Sequence, residues 1–103
     1  MEHTLFTVTD PQERAVILTE SCYAYHILVE HPDISDIDEI EQTIRNPHTI
    51  SRDAIDDERL IYYRIYRRNP QRWMIKVVVG DGEVITAYRV TRLKKGETII
   101  WRR

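Results

Sequence analysis

A chain of 103 residues, 42% apolar and 31% charged with few glycines and prolines, has the composition of one ordinary globular domain, 1–103, and not of a disordered or low-complexity chain. Its single cysteine, Cys22, excludes an intrachain disulfide and any cysteine-rich zinc site, and so points to a reducing, cytoplasmic setting. The start MEHTLFTVTDPQER has neither the basic beginning nor the apolar run of a signal peptide, and no segment approaches the ~18 apolar residues of a membrane span.

Charge is distributed unevenly along the chain. Residues 1–59 carry 14 acids and 4 bases, whereas residues 60–103 carry 3 acids and 11 bases, giving the net −2 of the whole. Two readings stand side by side: one face that binds a polyanion, or halves that neutralise each other across the fold or between protomers.

In chain order, LFTV (5–8) and RAVIL (14–18) are short apolar and β-branched runs separated by the turn residues TDPQE, which favours a hairpin. Pro11 after Asp10 equally suits a helix start; the hairpin is preferred because Val16, Ile17 and Leu18 run into Thr19, a good helix N-cap. From Glu20 to His31, Cys22, Tyr25, Leu28 and Val29 recur at helical spacing and Pro32 ends the helix. The second helix, 36–45, has Ser35 as its cap, Asp36, Asp38 and Glu39 at its positive end, and an Ile37, Ile40, Ile44 stripe. NPHTI closes it, and SRDAIDDER (51–59) reads as a polar loop.

The pattern then changes to strands. LIYYRIY (60–66), WMIKVVV (73–79) and EVITAYRVTR (83–92) are β-branched and aromatic, with NPQ and GDG as turns, and ETIIW (97–101) makes an edge strand. The expected fold is α+β: a small antiparallel sheet of four to six strands with two helices packed on one face, in the order ββααββββ or a near variant, burying Ile37, Ile40, Ile44, Ile61, Val77 and Ile85.

Four histidines invite a test for metal. His26 and His31 are five apart, about 500° around an α-helix, so they point in different directions and do not clamp an ion as an i, i+4 pair would; His3 and His48 are isolated. Neither a metal nor a cofactor is expected. His26 stands one turn before Glu30, which can orient it, and His31 sits at the negative C-terminal end of the helix. Either is more commonly structural than catalytic.

The strands carry a second cluster. Strict alternation puts Thr86 with Tyr88, and Tyr62 with Arg64 and Tyr66, so the Tyr62, Arg64, Tyr66 set is expected on the face the helices leave open. Tyrosines for base stacking and arginines for phosphates suit single-stranded RNA, although an ordinary solvated sheet face looks the same.

Taken together, VILTESCYAYHILVEHPDI, EIEQTIRNPHTI, RLIYYR and VVVGDGEVITAYR resemble the phage-associated nuclease-like families of the barnase, EndoU, colicin and RelE (BECR) fold group, over about residues 14–90. The resemblance implies a small α+β fold and a metal-independent, toxin-like or mobile-element endoribonuclease. It puts the polar motif positions at His26, His31, Tyr63 and Thr86 with Tyr88 beside them, and leaves Arg52 or Lys76 to supply the cation. RNA is then the expected partner. An antitoxin or regulatory protein and a homo-oligomer stay open, as does a catalytically inactive RNA-binding or protein-interaction module on the same fold. A basic groove holding His26 and Thr86 would favour RNA; charges of both signs around it would favour the protein-interaction module.

Overall fold

Strand-forming sequence dominates the computed structural model, which describes residues 2–32, 36–67 and 73–103. Seven strands form one sheet: β1 (Thr4–Thr9), β2 (Ala15–Thr19), β3 (Thr49–Arg52), β4 (Arg59–Arg67), β5 (Trp73–Gly80), β6 (Glu83–Val90) and β7 (Thr98–Arg102). Glu20–Cys22, Tyr23–Ile27 and Leu28–Glu30 run on as one helix, α1, with a π-helical middle, and Ile37–Arg45 forms α2. The chain order is therefore ββααβββββ, and the spatial order is β1-β2-β6-β5-β4-β3-β7.

The sheet departs from the expected small antiparallel one in two respects. It is mixed, because β2 lies parallel to β6, Ile17 opposite Glu83, while every other neighbouring pair is antiparallel. It also has an extra strand, since TISR was expected to end a helix and enter a loop but pairs with both β4 and β7. Covered on both faces, this strand buries Ser51 as well as Ile50, and the polar–apolar alternation that marks a half-buried strand never develops.

Local chemistry accounts for the turns and caps. Thr19 caps α1 through Oγ1, which accepts from the Cys22 N–H, and Asp36 caps α2 by accepting from Asp38. Ser35, expected as that cap, and the NPQ turn lie outside the described residues. Asp81 and Gly82 both take positive φ, 53° and 76°, the pairing a two-residue hairpin loop requires between β5 and β6. At the β1–β2 turn the buried Asp10 carboxylate accepts from the Gln12 and Arg14 N–H groups, from Arg14 Nη1 and from Tyr62 Oη.

Two connections cross the sheet and cover opposite faces. The helices lead from β2 to β3 over one face, where Ile27, Ile40 and Ile44 pack with Tyr62, Ile75, Val77, Val79 and Ala87. Residues 91–97 lead from β6 to the far edge at β7 over the other, above a smaller cluster of Ile61, Tyr63, Met74 and Val78. Ile40, Ile44, Ile61 and Val77 are buried as expected, whereas Ile37 and Ile85 are only half-buried. Among the described residues no helix is long and apolar enough to cross a membrane.

Candidate functional site

The face of β4 that meets the helices corrects the sequence expectation. Tyr62, Arg64 and Tyr66 lie beneath α2, and Ile61, Tyr63 and Ile65 belong to the opposite face. Tyr62 is fully buried and donates to Asp10 at 2.7 Å; Tyr66 donates to the Glu39 carbonyl at 2.8 Å; Arg64 Nη1 donates to the Asn46 carbonyl just past the end of α2. These side chains hold the helix to the sheet, and Tyr62 offers no surface for a base. Alternation predicts which residues share a face but not which face the helices will cover.

On the other face the structure brings several of the sequence candidates together. Lys76, on β5, has its ammonium 3.0 Å from Glu97 Oε2, with the two side chains only 5% and 2% exposed. The Tyr63 hydroxyl donates to the other Glu97 oxygen and accepts from the Lys94 N–H at 3.3 Å. The ammonium also lies 5.4 Å from the Tyr63 ring centroid and 5.6 Å from that of Tyr88. Burial pushes the Lys76 ammonium towards losing its proton, but the hydrogen bonds with Glu97 and Tyr63 outweigh it and its pKa ends raised. Burial, reinforced by the Glu97 carboxylate, pushes the Tyr63 phenol up to about 12.

Next to this pair is an open cavity of about 510 Å³. Lys76, Val78, Ile85, Thr86 and Tyr88 form its floor, and Asp53, Asp56, Arg59 and Lys94 stand around its rim. The Thr86 hydroxyl oxygen is buried and has no hydrogen-bond partner among the described residues. A buried hydroxyl without a partner carries a desolvation cost. The rim carries both signs of charge, with Asp56 3.5 Å from Arg59.

Tyr88 joins the cavity to the histidines. The His31 ring stacks on it at 5.0 Å, and the His26 ring stands edge-on to His31 at 6.2 Å. His26 Nδ1 is 3.4 Å from Glu30 Oε2, the orientation expected from i, i+4 spacing. His26, His31, Tyr88, Lys76, Tyr63 and Thr86 thus form one continuous neighbourhood. Arg52 lies outside it, exposed on β3 and donating to the Asp57 carbonyl. His48 accepts from the Ile65 N–H through Nδ1 at 3.0 Å, a structural use.

Glu97 has no signal in the sequence. It lies 21 residues from Lys76, at the end of a polar connection, and only the crossing of that connection over the sheet makes it the buried partner. Lys94 joins the cavity in the same way, whereas Arg59 reaches it from the start of β4. Cys22 is no nucleophile here: its thiol donates to the Val84 carbonyl at 3.1 Å, and burial raises its pKa. No family model, curated protein or solved structure matches the chain.

Proposed function

We propose that this neighbourhood is the site of a metal-independent endoribonuclease of toxin or mobile-element type. The observation that carries the reading is the run His26–His31–Tyr88–Lys76, which reaches an open cavity that Thr86 also lines. Cleavage without a metal needs a base for the ribose 2′-OH, donors and a cation for the phosphate, and an acid for the departing 5′ oxygen.

His26 takes the proton from the 2′-OH, whose oxygen attacks phosphorus while the bond to the 5′ oxygen breaks; His31 gives a proton to that oxygen. Tyr88 donates to a phosphoryl oxygen, as does Thr86 once a side-chain shift opens its buried hydroxyl to the cavity. Glu97 already neutralises Lys76, so the lysine's field on the phosphate is reduced, and its contribution includes holding the Tyr63 and Tyr88 rings in place. The products are a 2′,3′-cyclic phosphate and a 5′-hydroxyl. A second reading is a catalytically inactive module on the same fold, and the mixed charge of the cavity rim favours its protein-interaction form over its RNA-binding one.

Incubation with mixed RNA in EDTA, followed by end-group analysis, tests the proposal. Cyclic phosphate ends are expected, with a ~10²-fold to ~10⁴-fold loss in His26→Ala, the usual worth of acid–base catalysis. Thr86→Val keeps the shape and should cost up to ~10³-fold, as for one transition-state hydrogen bond. Wild-type protein that binds RNA but cleaves no faster than His26→Ala would leave only the second reading.

A further inference from the structure

The way the first helix ends changes the relation between the two histidines. In an α-helix, residues five apart diverge, which is why the sequence argued against a shared ion. Here the Leu28 N–H bonds to the Tyr23 carbonyl, an i→i+5 step that underwinds the helix between Tyr23 and Ile27. His31 then leaves helical geometry, at φ −134° and ψ 65°, while its N–H still bonds to the Ile27 carbonyl at 2.7 Å. The result is that one donor atom each from His26, Glu30 and His31 lies within 4.8 Å of the other two.

We propose that His26, Glu30 and His31 form a binding site for a first-row transition-metal dication of the Zn²⁺ class. Two imidazoles and one carboxylate are the donor set such ions take, with a fourth position left to water, whereas Mg²⁺ and Ca²⁺ prefer all-oxygen shells. Bond lengths of about 2.0–2.1 Å at a tetrahedral ion put neighbouring donors roughly 3.3 Å apart. His26 Nδ1 and Glu30 Oε2, at 3.4 Å, already have that separation. The remaining closure falls on side chains with room to move, since those of His26 and Glu30 are 40% and 57% exposed. Stacking on Tyr88 fixes the third donor's ring beside the other two. Coordination engages the lone pairs that proton transfer would use, so on the ribonuclease reading the ion is an inhibitor; the site itself does not depend on that reading.

Full-length protein freed of metal is titrated with Zn²⁺ by calorimetry and with Co²⁺ by visible absorption, while NMR follows the imidazole resonances. One ion should bind per chain and shift the His26 and His31 resonances, leaving those of His3 and His48 in place. Removing a group that only orients a metal ligand costs ~10–100-fold in affinity, and loss of a direct ligand should exceed that, so His26→Ala and His31→Ala are each expected to weaken binding by at least ~100-fold, and Glu30→Gln, which keeps an oxygen, by at least ~10-fold. Circular dichroism verifies that each variant is folded. Absence of saturable binding, or affinity unchanged in His26→Ala/His31→Ala, would overturn the site. RNA cleavage is scored separately in EDTA, so an inactive protein that binds Zn²⁺ counts against the ribonuclease proposal and not against this one.

Discussion

Replacing Glu97 with glutamine removes one charge and almost nothing else. The amide keeps the shape and an oxygen to accept from Tyr63, while the Lys76 ammonium, in a side chain 5% exposed, loses its counter-charge. Removing one partner of a buried ion pair typically costs about 3–5 kcal/mol, against about 0–1 kcal/mol for a surface pair. That is a large part of the 5–15 kcal/mol that keeps a small domain folded. With a urea dependence of about 1.5 kcal/mol/M, the unfolding midpoint should fall by roughly 2–3 M. Fluorescence of the half-buried Trp73 and Trp101 reports the transition. Because Lys76→Met/Glu97→Gln removes both charges, it should lose much less than the two single changes added together, which gives a clear coupling in the double-mutant cycle. The pair also sets an alkaline limit. The folded state raises the Lys76 and Tyr63 pKa values, so their contribution is complete below the unfolded values and is lost as pH rises through the folded ones, between about 10 and 12 for Tyr63. A cost below about 1 kcal/mol for Glu97→Gln would refute the buried-pair argument.

Asp10 sets the acid limit: burial pushes its carboxyl up, but hydrogen bonds from Tyr62, Arg14 and Gln12 outweigh it and leave the pKa below the ordinary value. Its contribution is therefore present above the unfolded pKa and lost as pH falls through the folded one, and Asp10→Asn should destabilise at neutral pH by about 1.5–3 kcal/mol and flatten the acid side of a stability–pH curve. Arg64→Ala frees the Asn46 carbonyl and removes the guanidinium 5.4 Å from the Tyr66 ring, so thermal unfolding should show a loss of about 1–3 kcal/mol. The slope of RNA affinity against salt should stay the same in that variant; a fall of about one phosphate contact would return Arg64 to the RNA footprint.

Periodicity and turn chemistry make much of the fold legible in the sequence. The Ile40, Ile44 stripe, the Thr19 cap, the Asp81-Gly82 turn and the β-branched runs of β5 and β6 express local preferences, and each yields the element it predicts. The seventh strand was invisible, because Thr49–Arg52 is made a strand by neighbours on both sides and not by any pattern of its own. For the site, the sequence supplied His26, His31, Thr86, Tyr88, Tyr63 and Lys76 as candidates but no geometry among them. Which face of β4 met the helices, and which acid neutralised Lys76, depended on where two connections crossed the sheet. Whether the histidines met depended on how the helix ends at His31, which no 100° repeat anticipates. Local propensity is written in neighbouring residues, whereas these contacts join positions 5 to 52 residues apart through the path of the chain, and only the folded structure decides them.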